Sequence, residues 1–180
     1  MLVDILRRIP AEFETARTQN RMMNCNDAAQ MLHVWSDPDV TRFMNIETFS
    51  TIDQAREIIL AILQEETANR FVIIDKIDGE LIGSFGINEL YQDTMTAEIG
   101  YELKKSYWGL GIMSEVLQAF MQIIEATSHI LAFTAKVDPE NQASIKLLKK
   151  LGFNYDKTVT ELDMNTKSLK NVKQYYRGII

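Results

Sequence analysis

The sequence predicts a mixed α/β fold with a partly parallel sheet, and three observations carry that expectation. Thr51 and Gln54 form a capping box ahead of an apolar stripe at Ala55, Ile58, Ile59 and Ile62, which is the signature of a helix. Asp78-Gly79 separates two β-rich runs, Phe71 to Ile77 and Glu80 to Ile87, and both turn residues tolerate the positive φ that a tight hairpin requires. Further on, the strand-like run Thr96 to Leu103 passes into a helical pattern and then into another strand. Only such a crossover lets two strands lie parallel.

The other elements follow in chain order. Arg17 to Met23 reads as a first strand, unusually polar for one. Asp27 to Trp35 has helical spacing at Ala28, Met31, Leu32 and Trp35. It stops before Asp37-Pro38, because proline disfavours helix in the residue that precedes it. Gly111 to Ala126 is a long helix with Val116, Leu117, Phe120, Ile123 and Ile124 on one face. Ile130 to Val137 is a strand. Asn141 to Lys150 is a short amphipathic helix with Ile145, Leu147, Leu148 and the adjoining Leu151, and Gly152 punctuates its end. Phe153 to Val159 and Lys173 to Ile180 are closing strands. Antiparallel hairpins come first and the crossover comes late. No repeat, low-complexity tract or linker divides the chain, so residues 1–180 read as one domain.

Composition narrows the function classes. Of 180 residues, 46% are hydrophobic, enough to bury a core and too many for a disordered chain. The net charge is −6 and no basic stripe is present, which argues against nucleic acid. An acidic surface favours cationic partners or simply keeps the protein soluble. Met1 to Pro10 contains Asp4, Arg7, Arg8 and Pro10, too interrupted for a signal-peptide core. No apolar run approaches the ~18 residues of a membrane span, so a soluble cytoplasmic protein is the expectation. Cys25 is the sole cysteine, which excludes an intrachain disulfide and suits a reducing compartment. Nothing near it supplies an activating base, and it reads as a small hydrophobe. With only His33 and His129 and no Cys/His spacing, no metal is expected.

The informative stretch runs from Ala97 to Glu115. A strand enters a short loop with Gly109 and Gly111, and a helix begins. A helix N-terminus offers free N–H groups and a partial positive charge, and glycines let that backbone close around an anion. A close helix–strand packing turn is the alternative. A Walker A loop is excluded, because no Gly-Lys-Ser/Thr occurs. A dinucleotide-binding fingerprint is disfavoured, because Ser114 stands at its third glycine and Ile130 to Val137 carries no acidic residue.

Tyr107-Trp108-Gly109-Leu110-Gly111, followed by Glu115, resembles the pyrophosphate loop of the GCN5-related N-acetyltransferase (GNAT) superfamily. Asn141-Gln142-Ala143-Ser144 and Leu148-Lys149-Lys150-Leu151-Gly152-Phe153 resemble its second coenzyme A motif. Glu14-Thr15-Ala16-Arg17 and Trp35-Ser36-Asp37-Pro38-Asp39-Val40 resemble its ribosomal-protein-alanine acetyltransferase branch. The resemblance implies a central, mostly antiparallel mixed sheet with one splayed parallel strand pair, flanked by helices. It also implies transfer of an acetyl group from acetyl-CoA to a primary amine by direct attack. Backbone groups of Tyr101, Glu102 and Leu103 would pair with the pantetheine arm, as an added strand does. Trp108, Gly109, Leu110, Gly111, Ile112, Met113 and Ser114 would surround the pyrophosphate, and an N–H near Tyr101 would stabilise the oxyanion.

An ammonium ion has no lone pair, so the amine must lose a proton before it attacks. Glu98, on the strand lining the cleft, is the candidate base, acting through a water. A structural carboxylate is its alternative reading. Many relatives protonate the leaving thiolate with a tyrosine at the position of Leu148, so Ser144, at a serine position of the ribosomal branch, is the candidate acid. Ser144 also reads as a first-turn capping serine, and Asn141 as a pantetheine contact or as a plain N-cap. The sequence departs from the family at Met113, where a bulky side chain faces the expected phosphates, and at Thr18 and Asn20, where leucines usually stand. These two polar positions imply an edge strand or a diverged substrate end. Lys104 and Lys105 suit cofactor steering or a solvated turn. Asp37, Asp39 and Glu47, between two helices, suit a cationic acceptor. The expected partners are acetyl-CoA and an amine, either a protein N-terminus or a small molecule, with a homodimer left open and no nucleic-acid or membrane partner. A non-catalytic acyl-CoA sensor on the same fold is the competing reading.

Overall fold

The computed structural model describes residues 2–47 and 49–179. Thr48 and Ile180, which fall in the expected acceptor segment and closing strand, lie outside them, as does Met1. The chain order is α1 (Leu2–Arg8), β1 (Glu12–Glu14), β2 (Thr18–Met22), α2 (Ala28–Trp35), α3 (Pro38–Thr41), α4 (Ile52–Gln64), β3 (Phe71–Asp75), β4 (Leu81–Tyr91) and β5 (Thr96–Leu103). It continues with α5 (Ile112–Thr127), β6 (Ala132–Val137), α6 (Gln142–Lys150), β7 (Asn154–Leu162) and β8 (Leu169–Gly178). The eight strands form one sheet in the order β1-β2-β3-β4-β5-β6-β8-β7. Every neighbouring pair is antiparallel except β5 with β6.

Most expected elements are present, and their ends follow local chemistry. The Thr51 hydroxyl accepts from the Gln54 N–H at 3.2 Å, and the Gln54 side chain returns to the Thr51 N–H, so the capping box starts α4. α1, β1 and α3 were not expected. β1 is three residues long and α3 four, too short for a periodic pattern to show. The expected first strand begins one residue late, at Thr18, and is not an edge, because β1 covers it.

Thr18 and Asn20 are buried on β2 and satisfy each other. The Asn20 amide donates to the Thr18 hydroxyl at 3.0 Å, and the Thr15 and Thr18 hydroxyls lie 2.8 Å apart. Their polarity reflects an internal hydrogen-bond ladder, with no exposed edge involved.

Period-2 alternation sorts the strands between two apolar layers. Phe71 and Ile73 of β3 enter the layer beneath α1, α5 and α6, while Val72 enters the layer beneath α2 and α4. On β5, Ala97, Ile99 and Leu103 belong to the first layer. Glu98, Gly100 and Glu102 therefore turn to the opposite face. Four aromatic rings anchor the first layer. Phe85 and Phe120 meet edge-on at 5.0 Å, Phe71 and Phe85 stack at 5.4 Å, and Phe13 closes the group.

Phe120 is fully buried among these rings. Phe120→Ala is expected to cost about 3–5 kcal/mol, the range for a buried phenylalanine that leaves a cavity. Urea unfolding with an unchanged m-value checks this.

Candidate active site

The parallel ladder between β5 and β6 is short. It joins Thr96 to Ala132, Ala97 to Phe133 and Glu98 to Thr134, and then ends. β5 continues along β4 as far as Leu103, while β6 continues along β8 through Ala135, Lys136 and Val137. The strands therefore part, and a cleft of about 760 Å³ opens between them. The Lys104 N–H points to β4, bonding Ile82 at 2.7 Å. By alternation, the backbone groups of Tyr101 and Leu103 face the cleft, whereas those of Glu102 face β4. The Leu103 carbonyl accepts from the Trp108 indole at 2.7 Å, so Trp108 braces the strand end.

Past a single 3-10 turn at Lys105–Tyr107, the loop enters α5 through Gly109 and Gly111. Their φ values are +73° and +76°, the left-handed region that glycine adopts without penalty. Gly111 is the N-cap and has no capping side chain, so the N–H groups of the first turn are left for another acceptor. The side chains of Ile112 and Met113 are buried in the main core. Met113 also borders the cleft, but most of its bulk is taken up inside the core.

A clamp with little trace in the local sequence pattern holds the loop. Arg17, in the β1–β2 turn, donates through Nη1 to the Leu110 carbonyl at 2.7 Å and through Nε to Glu115 at 3.1 Å. Glu115 also accepts from the Thr15 hydroxyl at 2.6 Å and from the Arg17 N–H at 3.2 Å. The Thr18–Asn20 ladder joins it through Thr15. Burial raises the Glu115 carboxyl, but these hydrogen bonds outweigh it and hold the group below the usual carboxylate range.

The two lysines before the loop are committed elsewhere. Lys104 pairs with Glu80, and Lys105 lies 2.6 Å from Asp39. The Tyr107 hydroxyl also donates to Glu80 at 3.2 Å.

Two buried carboxylates face the α2–α4 side of the cleft. Glu98 accepts through Oε2 from the Tyr91 hydroxyl at 2.9 Å and pairs through the same atom with Lys136 at 3.0 Å. Burial, with Glu98 alongside, raises the Tyr91 phenol well above its ordinary value. Glu102 sits in a denser network. It pairs with Arg70, accepts from the Ser84 hydroxyl, and accepts from the Trp35 indole at 3.1 Å. Arg70 also donates to Ser84 at 3.0 Å and to Asn88 at 3.1 Å. Sequence reasoning assigned only the backbone of Glu102, so this network was missed. Its one available signal was the alternation that puts Glu98 and Glu102 on one face.

On the opposite arm, the Asn141 side chain accepts from the Ser144 N–H at 3.1 Å and caps α6. The Ser144 hydroxyl lies 2.6 Å from the Tyr101 hydroxyl, so the pair bridges the cleft. Burial pushes the Tyr101 phenol up to about 12, and its contact with Ser144 pulls the other way.

The α2–α4 segment contributes an apolar wall of Val40, Phe43, Met44 and Ile46. Asn45 ties this segment to the β7–β8 hairpin. It donates to the Leu162 carbonyl at 2.8 Å and accepts from the Met164 N–H at 2.9 Å. The three expected acceptor carboxylates do not form a free acidic patch. Asp37 caps α3, Asp39 holds Lys105, and Glu47 pairs with Lys167. Cys25 is partly buried and packs against the second core layer, away from the cleft lining. Among the described residues no group of three or more His, Cys, Asp or Glu could hold a metal ion, and no helix is long and apolar enough to cross a membrane.

Arg17→Ala is expected to loosen the loop while the fold persists, raising hydrogen exchange at Gly109 to Met113 by roughly tenfold, about 1.4 kcal/mol of lost protection. Glu115 is depressed in the folded chain, so its contribution is full above about pH 4.3 and is lost as pH falls through the lowered folded value. Exchange at the same amides should rise on acidification in the wild type and change much less in Glu115→Gln.

The family model for the acetyltransferase (GNAT) domain matches residues 20–154. The chain is 42% identical over 142 residues to the uncharacterised N-acetyltransferase p20 of Bacillus licheniformis, covering 77% of this chain and 80% of that one. It is 29% identical over 116 residues to the ribosomal-protein-serine acetyltransferase of Escherichia coli, covering 64% of each. A solved structure of the ribosomal L7/L12 N-terminal acetyltransferase RimL with coenzyme A shares the fold, with a TM-score of 0.81, 21% identity, and 95% and 97% of the two chains covered. The chain belongs to the GNAT acetyltransferase family.

Proposed function

We propose that the protein transfers an acetyl group from acetyl-CoA to a primary amine by direct attack within a ternary complex. The observation that carries this reading is the parted β5–β6 pair, whose free edge leads to the uncapped N-terminus of α5 at Gly111. The pantetheine arm lies along the cleft edge of Tyr101 and Leu103 as a short added strand. The backbone N–H groups from Gly109 to Ser114 take the pyrophosphate. Asn141 uses its side-chain oxygen as a cap, which leaves its amide N–H₂ for a pantetheine carbonyl. A fold neighbour solved in complex with coenzyme A supports acetyl-CoA as the donor.

Glu98 is the proposed base. Both of its partners use Oε2, which leaves Oε1 to a water in the cleft. Its pairing with Lys136 holds the carboxylate in place, and the proton leaves the amine by way of that water. An N–H at Tyr101 stabilises the oxyanion, and Ser144 serves the departing sulfur. The amine reaches the thioester from the α2–α4 face, between the apolar wall and the β7–β8 hairpin. A protein N-terminus is the favoured acceptor, since the Escherichia coli relative is named for a ribosomal protein. Small-molecule amines are the second class. A non-catalytic sensor is disfavoured by the burial of Met113, although Leu148 leaves no tyrosine at the family's acid position.

A turnover screen of acetyl-CoA against amines and N-terminal peptides, read as thiol release, tests the activity. Binding of acetyl-CoA without thiol release on any amine would instead indicate a sensor. Gly111→Val forces a branched residue to a φ of +76° and should weaken acetyl-CoA binding by roughly tenfold or more in calorimetry. Glu98→Gln should lower kcat by roughly 10²–10⁴-fold with cofactor affinity kept. The wild-type rate should rise with pH as the amine deprotonates. A Glu98→Gln variant with the wild-type rate would make the carboxylate structural.

A further inference from the structure

The two arms of the cleft touch at a polar point that the amine-activating groups do not use. Tyr101 reaches from β5 and Ser144 from the first turn of α6, with 2.6 Å between their oxygens. The backbone N–H of Ser144 is already held by Asn141, so the serine is fixed on the helix by its cap and at its hydroxyl by Tyr101. A serine hydroxyl has one hydrogen and two lone pairs. A phenol is the stronger donor of the two groups. At 2.6 Å either oxygen serves as donor, and in the arrangement in which Tyr101 donates the hydrogen of Ser144 is left to point elsewhere. Leu148, one turn further on the same helical face, is buried and carries no donor.

We propose that the Tyr101 side chain is a positioning residue that turns the Ser144 hydroxyl into a hydrogen-bond donor to the sulfur leaving acetyl-CoA. This rests on the acetyltransferase reading above and deepens it. The amine lone pair adds to the thioester carbon. When the tetrahedral adduct collapses, the C–S bond breaks and its electron pair goes to sulfur. The Ser144 O–H shortens its hydrogen bond to that growing charge, and Tyr101 holds the oxygen that donates.

No proton leaves the pair. A serine hydroxyl, and a phenol pushed up to about 12, are both far weaker acids than a thiol of about 8.5, so neither hands its proton to the departing sulfur. The sulfur departs as a thiolate and is protonated by solvent. The extra proton of the new amide leaves by way of the water at Glu98. The pair therefore acts as a fixed dipole, neutral over the whole range in which an amine substrate titrates.

The test uses the full chain with an amine that the wild type acetylates. Tyr101→Phe keeps the ring and the strand backbone and removes only the hydroxyl. It should lower kcat by roughly tenfold while KM for acetyl-CoA stays within about a factor of two, the signature of an interaction made in the transition state. Ser144→Ala should lower kcat at least as much. The double variant should be no slower than Ser144→Ala, because Tyr101 acts only through the serine. The kcat–pH profile should keep its wild-type shape in Tyr101→Phe.

Wild-type turnover by Tyr101→Phe, equal slowing in both backgrounds, or loss of a pH limb would each overturn the proposal. A second measurement needs no acceptor and bypasses any folding defect of the tyrosine variant. The ultraviolet absorbance of the thiolate of bound coenzyme A should titrate at lower pH on the wild type than on Ser144→Ala, and equal titration would overturn the proposal. A wild-type chain that binds acetyl-CoA and acetylates no amine would instead overturn the acetyltransferase reading.

Discussion

The site depends on the early end of one ladder. Two strands buried in the middle of a sheet would ordinarily pair along their whole length, because an unpaired N–H or C=O away from water costs free energy. β5 and β6 stop pairing after Glu98 and Thr134. The sheet tolerates the loss because each strand keeps a complete antiparallel neighbour on its other side, β4 for one and β8 for the other. The groups left over at Tyr101 and Leu103 are either answered from within, as by the Trp108 indole, or presented to the cleft. An opening of this shape suits a strand-like ligand.

The two faces of β5 show how different chemistries share one strand. Ala97, Ile99 and Leu103 are held by the core, Tyr101 reaches across to Ser144, and Glu98 and Glu102 line the cleft from the other face. Both carboxylates are buried, and each has a cation beside it, Lys136 for one and Arg70 for the other. A buried pair adds little net stability, but removing one partner costs about 3–5 kcal/mol. The Glu102 network, with Trp35, Ser84 and Asn88 also engaged, is therefore a rigid frame that ties α2 to the sheet beneath the acceptor wall.

Much of this was legible in the sequence where a local pattern and a tertiary role coincide. Thr96 to Leu103, the Thr51 capping box and the glycine pair at α5 all announce themselves within a few residues, and each is found where expected. What stayed hidden is long-range. The Arg17–Glu115 clamp joins positions 98 residues apart, and neither residue type signals the other. The Tyr101–Ser144 bridge spans 43 residues. The partners of Lys105 and Glu47 turned expected free charges into ion pairs, and Met113 turned inward because the helix phase sends it into the core. Thr18 and Asn20 looked misplaced on a strand only because the carboxylate that orders their ladder lies so far along the chain.

The tie at Asn45 has a consequence for how such a protein can change. The elements proposed to hold the donor, β5, α5 and α6, lie inside the stretch that the family model matches. The apolar wall proposed to face the acceptor is a seam between two remote pieces of chain, the α2–α4 segment and the β7–β8 hairpin, stitched by Asn45 and by the Glu47–Lys167 pair. The hairpin begins at Asn154, where that match ends. A handful of substitutions at the seam could re-cut the acceptor opening while leaving the cofactor edge untouched. One inherited engine could in this way serve different amines in different descendants, with each new substrate demanding a change of stitching and no rebuilding of the machine.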